Sequence, residues 1–304
     1  MRRRLVAFAF ISVLLAAPVH AQTAAQQQHV RAQTEARLQA IIDTTDGVVG
    51  IAALDLVGDD HFLIHADQIF PQGSAIKIPI LIDVYRQAEA GRFALSDRRP
   101  LTDAVKVGGS GLLQSLGTGS ALTIYDLCVL MITISDNTAT NMLIDLVGME
   151  SVNQTMADLG LEHTRLQRTM MDTDARARGD ENLSTPREAA RLMAMLHRGE
   201  VVSRAASEAM LAILRQTGGG ALAAGVPDDV AVPFKPGGIP GVATEWALVE
   251  LDHQPYALAV MGTYGLGGFD GAMTALSRTL YDYYWRMSRA SAYGTYVDPA
   301  QLNR

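Results

Sequence analysis

The sequence predicts an α+β fold in which both ends of the chain build one antiparallel sheet flanked by helices. Three observations predict it. Residues 47–64 are rich in Val, Ile, Ala and Leu, as strands are. Helical patterns fill the long middle, and strand patterns return at residues 231–264 before a last helix. An all-helical lobe inserted at about residues 78–215 accounts for this order of elements. A cleft between two lobes is a usual binding site for small molecules, so we expect the site there.

The first 21 residues have the pattern of a secretory signal peptide. Arg2 to Arg4 are basic, Leu5 to Val19 are mostly apolar, and Val19-His20-Ala21 is a small-residue cleavage site. The apolar segment is shorter than the about 20 residues that span a bilayer. We therefore expect cleavage after Ala21, a periplasmic or secreted location, no membrane span in the mature chain, and one catalytic domain at residues 22–304.

The net charge limits the possible partners, and the cysteine count limits the possible disulfides. Without the three signal-peptide arginines the mature chain keeps 22 of its 25 basic side chains against 32 acidic ones, a formal charge of about −10. This balance argues against a nucleic-acid partner. Cys128 is the single cysteine, so no intrachain disulfide is expected, and its apolar surroundings predict a buried thiol. We expect a monomer without a metal or cofactor.

The N-terminal strand segment predicts a hairpin. Residues 46–57 and 61–65 flank Gly58-Asp59-Asp60, and Gly and Asp are residue types that favour a turn. His61 and His65 would share one side of a strand, but no third metal ligand accompanies them. Residues 22–38, before the hairpin, are polar and helical in propensity.

The middle of the chain predicts a series of helices, and the end predicts three strands and a helix. Thr123 is the expected N-cap of one helix, and Gly148 is the expected end of another. Residues 95–120 predict loops and short helices, and residues 165–184 predict a compact loop held by its own ion pairs. The predicted helices cover residues 76–93, 122–134, 138–147, 152–159, 187–198, 203–216 and 272–289, and the late strands cover residues 231–235, 244–252 and 256–264.

Ser74 is the first candidate for chemistry. It follows the strand segment and precedes a predicted helix, whose unpaired N–H groups and dipole favour a developing oxyanion. Lys77 is three residues further on, on the same face of the first turn, and an amine with a lowered pKa can accept a serine proton. The alternative to a catalytic role is that Ser74 is only the N-cap of the helix and that Lys77 is exposed to solvent.

Two later motifs favour the catalytic interpretation. Ser135-Asp136-Asn137 and Lys235-Pro236-Gly237 follow Ser74-Ala75-Ile76-Lys77 in this order. Together they resemble the S-x-x-K, S-D-N and K-T-G motifs of class A β-lactamases and penicillin-binding proteins. The resemblance covers nearly the whole mature chain and implies the β-lactamase/transpeptidase fold.

The resemblance also implies roles. Ser74 would be the acylated nucleophile, Lys77 its base, and Ser135 the proton donor to the leaving nitrogen. Asn137 would hold Lys77 and a substrate amide, and Lys235 would attract a substrate carboxylate. Asp136 would be structural. The oxyanion hole would use the N–H groups of Ser74 and Gly238, while Gly237 and Gly238 let the strand lie close to substrate.

Two departures from the family pattern concern hydrolysis and binding. The family's E-x-x-L-N glutamate, which activates the deacylating water, falls on Met170 here. Asp172 is the nearest carboxylate and is the candidate replacement base, and its alternative role is a structural ion pair with an arginine of this loop. Pro236 lacks the hydroxyl that binds a β-lactam carboxylate, the following strand to Glu250 carries no Arg or Lys, and Glu245 adds negative charge.

Three functions remain open at this point. The first is an exported serine hydrolase that opens β-lactam amides through an acyl-enzyme. The second uses the same nucleophile on a cell-wall D-amino-acyl peptide or an ester, which the two departures favour. The third is a non-turnover penicillin-binding protein, although Ser74, Lys77, Ser135 and Lys235 are all present.

Overall fold

A five-stranded antiparallel sheet lies at the centre of the fold in this computed structural model, which describes residues 17–291, 294 and 295, with side chains from residue 24. Its strand order is β2-β1-β9-β8-β7, and every neighbouring pair is antiparallel. The strands are β1 (Val48–Asp55), β2 (Phe62–Ile64), β7 (Phe234–Ile239), β8 (Val242–Val249) and β9 (Tyr256–Thr263). The predicted sheet from both chain ends and the predicted β1–β2 hairpin are thus confirmed.

Ten helices surround this sheet within the described residues. A 3-10 turn, Gly73–Ile76, leads directly into α2. Short two-stranded ladders pair β3 (Phe70–Pro71) with β6 (Leu183–Ser184), and β4 (Arg98–Pro100) with β5 (Ala121–Thr123). The helices are α1 (Ala17–Asp43), α2 (Lys77–Glu89), α3 (Ile124–Thr133), α4 (Asn137–Val147), α5 (Met149–Asp158), α6 (Thr173–Ala177), α7 (Pro186–Arg198), α8 (Arg204–Leu214), α9 (Ala221–Ala224) and α10 (Asp270–Met287). The strands β10 (Ala290–Ser291) and β11 (Gly294–Thr295) form a last small pair.

The two faces of the sheet bury two separate cores. On one face, α1 and α10 cover alternate residues of β1 and β9, such as Ile51 and Leu258. On the other face, Ala52 and Ala259 join the core of the helical lobe. α7 packs against β1, β8 and β9. The sequence predicted this helix as part of the inserted helical lobe. The small residues Ala189 and Ala190 of α7 are fully buried and allow this close approach to the sheet.

Local signals placed most helix boundaries within a few residues. Thr123 accepts from Asp126 N, and the Asp126 side chain bonds back, which is a capping box at the start of α3. Gly148 ends α4 with a φ of +84°, where glycine is favoured. Strand β7 includes Pro236, whereas the sequence predicted a strand ending at Lys235. β7 is an edge strand, and an edge tolerates a residue without an N–H donor.

Residues 1–16 of the predicted signal peptide lie outside the described residues, and α1 begins at Ala17. Among the described helices, none is long and apolar enough to cross a membrane. The described His, Cys, Asp and Glu side chains form no group of three or more that could hold a metal ion. Cys128 is fully buried, as predicted.

Candidate active site

Ser74 lies at the edge of a cleft between the sheet and the helical lobe. Its neighbours Ala75 and Ile76 are fully buried and anchor the 3-10 turn in the core, while Ser74 itself stays half-buried. The cleft has a volume of about 200 Å³. Its walls are contributed by the Ser74 turn, the loop before α3, the start of α4, the 165–184 segment and the end of β7: Gly73, Ser74, Gly109, Ser110, Asn137, Arg168, Met170, Met171, Asp172, Thr173, Arg176, Gly238 and Ile239.

Lys77 is fully buried at the start of α2 and bonds to two other motif residues, Ser135 and Asn137. Its Nζ lies 2.8 Å from Ser135 O, 3.0 Å from Ser135 Oγ and 3.0 Å from Asn137 Oδ1. Burial holds the pKa of Lys77 well below its usual value, and the nearby charge of Lys235 lowers it further. The carbonyl and amide oxygens only accept hydrogen bonds, so a neutral Lys77 donates to both and can accept one from the Ser135 hydroxyl.

The turn between α3 and α4 presents Ser135 to Lys77. Ser135 has a φ of +57°, a left-handed conformation that non-glycine residues seldom adopt and that often marks functional sites. Asp136 caps α4 by accepting from Ala139 N at 2.9 Å, and it accepts from Leu112 N and Leu113 N at 2.6 and 2.8 Å. Its carboxylate is therefore used to join the 108–113 loop to α4.

Strand β7 places two glycines against the Ser74 turn. A Cβ atom at Gly237 would lie 2.2 Å from Gln72 O, so only glycine fits there. A Cβ atom at Gly73 would lie 2.7 Å from Gly238 N, which shows how closely the turn approaches the strand. The backbone of Gly238 therefore borders the same cleft as Ser74.

Lys235 is buried at the base of β7 and donates from Nζ to Pro236 O at 3.0 Å. Burial lowers its pKa to about 8, and the charge of Glu245 partly offsets this. Lys235 is not part of the cleft wall, and neither is Glu245. Glu245 accepts from Ala221 N and Leu222 N at 2.8 Å each and caps α9, and burial raises its pKa. Its negative charge thus acts on Lys235 from outside the cleft.

The 165–184 segment contributes Met170, Met171 and Asp172 to the cleft. Met170 is only 7 % exposed, and its backbone N–H and C=O bond to the side chain of Asn141 at 2.8 and 3.0 Å. Met171 has a φ of +65° and is half exposed. Asp172 is the N-cap of α6 and accepts from Ala175 N at 2.9 Å. Its carboxylate is thus both cleft-lining and tied to a helix end.

Ion pairs within this segment are present, as predicted, and centre on Glu181, but the segment also contains the short helix α6 and strand β6, which the sequence did not predict. Arg168 donates to Glu181 Oε2 from Nε at 3.1 Å and from a terminal nitrogen at 2.9 Å. Arg176 Nε lies 3.5 Å from Glu181 Oε1. No salt bridge among the described residues includes Asp172, so its alternative role as an arginine partner is not seen in this structure.

Comparison with known proteins agrees with this geometry. The family model described as Beta-lactamase enzyme family matches residues 33–284. This chain belongs to that family. It is 30% identical to Beta-lactamase L2 of Stenotrophomonas maltophilia over 237 residues, which is 74% of this chain and 78% of that protein. Membership confirms the resemblance inferred from the motifs.

Solved structures of the family confirm the fold. A β-lactamase from Sphaerobacter thermophilus superposes with a TM-score of 0.76 at 32% identity, covering 83% of this chain and 97% of that one. PBP-A superposes with a TM-score of 0.76 at 28% identity, covering 84% and 96%. A mutant of PBP-A, in its acyl-enzyme complex with penicillin G, gives 0.77 at 28% identity, covering 85% and 97%.

The sequence did not single out several residues that build this β-lactamase-family cleft. Ser110 accepts from Asn137 N at 3.0 Å through its carbonyl, and Ile239 lines the cleft beyond Gly238. Gln72 lies directly behind the Ser74 turn and is fully buried. The only feature of the sequence that could have indicated Gln72 is its polar side chain directly after apolar residues and just before Ser74.

Proposed function

We propose that this protein is an exported serine hydrolase that opens a β-lactam or a related amide through an acyl-enzyme on Ser74. The proposal rests on the position and environment of Lys77. A buried amine with a depressed pKa, Lys77, lies one helical turn beyond a cleft-lining serine and bonds to Ser135 and Asn137. The β-lactamase relatives support the substrate class.

In the proposed acylation each of these groups has one role. Neutral Lys77 accepts the Ser74 hydroxyl proton, and Ser74 Oγ forms a bond to the substrate carbonyl carbon. The N–H groups of Ser74 and Gly238 donate to the oxyanion that develops. Ser135 then donates its proton to the leaving nitrogen as the C–N bond breaks, and Lys77 reprotonates Ser135 across their 3.0 Å contact. Asn137 holds Lys77 in place, and Lys235 supplies positive potential for a substrate carboxylate.

Hydrolysis of the acyl-enzyme needs a base for the attacking water, and Asp172 is our candidate. It is the cleft-lining carboxylate among the described residues. Its carboxylate also accepts a hydrogen bond from Ala175 N at the start of α6. Because this carboxylate is engaged in the helix cap and Met170 occupies the family's glutamate position, we expect acylation to outpace deacylation and an acyl-Ser74 adduct to accumulate.

The second candidate function is a cell-wall D-amino-acyl peptidase, an esterase or a slow-turnover penicillin-binding protein. Two observations favour it over efficient penicillin hydrolysis. Met170, with a buried side chain, occupies the position of the family's water-activating glutamate. Pro236 offers no hydroxyl to a β-lactam carboxylate. Either function would act as a monomer on a small molecule or short peptide.

Rapid mixing with a chromogenic cephalosporin, followed by intact-protein mass spectrometry, tests the proposal. We expect a burst of about one equivalent, slow turnover and an adduct on Ser74. Fast turnover without an adduct would contradict the slow deacylation but not the β-lactamase activity. Absence of any reaction would direct the test to D-amino-acyl peptides and esters. N-terminal sequencing of exported protein tests cleavage after Ala21.

A further inference from the structure

Gln72 lies two residues before Ser74 and is fully buried, although the proposed chemistry does not use it. Its Oε1 accepts from Trp246 Nε1 at 2.9 Å. Its Nε2 donates to Phe70 O at 2.8 Å and lies 3.4 Å from Ser184 O and 3.2 Å from Met261 Sδ. Rotating this amide would leave buried polar atoms without partners, so the side chain has one favoured orientation.

The backbone of Gln72 is held as firmly as its side chain. Its N–H donates to Asn182 O at 2.8 Å, at the end of the 165–184 segment. Its C=O accepts from Thr244 Oγ1 at 2.9 Å and from Ala75 N at 3.1 Å. Gln72 therefore joins the sheet, through β8, and the 165–184 segment to the turn that contains Ser74.

These contacts define how closely the Ser74 turn approaches β7. Gly237 faces the same Gln72 carbonyl, because a Cβ at position 237 would lie 2.2 Å from Gln72 O and 2.5 Å from Ala75 N. Gly73, between Gln72 and Ser74, is in contact with Gly238. Any shift of Gln72 relative to β8 thus changes the separation between the N–H groups of Ser74 and Gly238.

We propose that Gln72 is a positioning residue that holds the Ser74 N–H and the Gly238 N–H at the separation an oxyanion requires, through its bonds to Trp246 and Thr244. The inference rests on the proposed function, since those two donors matter only if Ser74 is acylated. Oxyanion donors act at about 2.7–3.1 Å, and losing one costs about 10²–10³ in rate. Displacing the pair therefore slows acylation. Gln72 makes no hydrogen bond to Lys77, so the pH dependence that Lys77 gives to acylation stays unchanged.

The variant Gln72→Met tests this against the matched control Gln87→Met. Gln87 is also buried and bonds through Nε2 to Asp83, Val147 O and Ser151, but it lies at the far end of α2. We expect both variants to lower the melting temperature similarly. Only Gln72→Met should reduce the second-order rate constant for acylation, by about tenfold or more, with an unchanged pH profile. Equal acylation by the two folded variants would overturn the proposal.

A second pair keeps the test decisive if Gln72→Met does not fold. Thr244→Val removes the bond to Gln72 O with little change of shape, and Thr34→Val removes a buried bond to Val30 O in α1. We expect slower acylation only for Thr244→Val, and equal rates would overturn the proposal. Wild-type protein that no β-lactam, peptide or ester acylates would refute the proposed function itself. Acylated wild type with no difference within either pair would refute the role of Gln72 alone.

Discussion

The Ser74 turn, which leads into α2, and the 165–184 segment border the same cleft, but their buried groups differ. Around α2 the ionisable groups Lys77 and Lys235 are almost completely buried, and burial depresses the pKa of both. In the 165–184 segment the buried cleft residues are apolar Met170 and Arg168, which is paired with Glu181, while Asp172 is half-buried and caps a short helix. In our proposal the first region supplies the groups for acylation, and the second supplies one candidate base for deacylation. We therefore expect that the two half-reactions can be altered separately.

The largest expected effect is the loss of the nucleophile. Ser74→Ala should form no acyl adduct with penicillin, and turnover should fall by at least about 10⁴-fold, because the remaining groups cannot form the covalent intermediate. Intact-protein mass spectrometry is the measurement. Ser110→Ala, which changes another serine in the cleft wall, is the control and should label normally. A labelled Ser74→Ala protein would show that another group is acylated.

The second largest effect is expected from adding a buried carboxylate to the 165–184 segment, so that both regions have a buried group that can accept a proton in reach of the cleft. Met170→Glu should accelerate hydrolysis of the acyl-enzyme by about 10²–10⁴-fold, because it adds a general base at the family's glutamate position. Burying a carboxylate there should also lower the free energy of unfolding by about 1–3 kcal/mol. Stopped-flow deacylation rates test the first expectation, with Met171→Glu on the half-exposed neighbour as control. A folded Met170→Glu protein with unchanged deacylation would contradict our account of slow turnover.

The burial of Lys235 should appear as a pH-dependent stability. Its pKa is about 8 in the folded protein against 10.5 normally. Between these values the unfolded chain binds a proton at this site and the folded chain does not, so the contribution of Lys235 to stability rises with pH. Lys235→Met lacks this cost of burying a charge.

The variant should therefore be more stable than wild type at pH 7, by at most about 3 kcal/mol, since each pKa unit corresponds to about 1.36 kcal/mol. The lost bond to Pro236 O reduces this gain. The advantage should decline above about pH 8 and disappear near pH 10.5. Urea unfolding at several pH values measures it. A stability difference that stays constant with pH would argue that Lys235 is not neutralised by burial.

The smallest expected effect concerns Asp172. Asp172→Asn should slow deacylation by about tenfold and raise the adduct fraction, because the amide cannot accept a proton from water. Stability should hardly change, since Asn caps helices about as well as Asp. Rapid-quench mass spectrometry measures the adduct, and Asp174→Asn, in the exposed first turn of α6, is the control. Equal deacylation in the two variants would mean that another group is the base.

The sequence by itself determined the order of elements, the fold family and the three motifs. These features depend on neighbouring residues: the Thr123–Asp126 capping box, the left-handed Gly148 and the one-turn spacing of Ser74 and Lys77 all act within a few positions. Short-range rules failed where two tendencies competed. Pro236 and Gly237 are turn formers, yet they continue β7 because an edge strand and a close contact accept them.

Only the tertiary structure decided which of these groups meet, and what the meeting does to their chemistry. Lys77 is 58 positions from Ser135, and Thr244 is 172 positions from Gln72, yet both pairs are hydrogen-bonded. The depressed pKa values of Lys77 and Lys235, the buried side chain of Met170 and the helix cap formed by Asp172 likewise depend on segments distant in the chain. The physical reason is that desolvation and long-range hydrogen bonds arise from packing, and a residue's local sequence does not specify what packs against it.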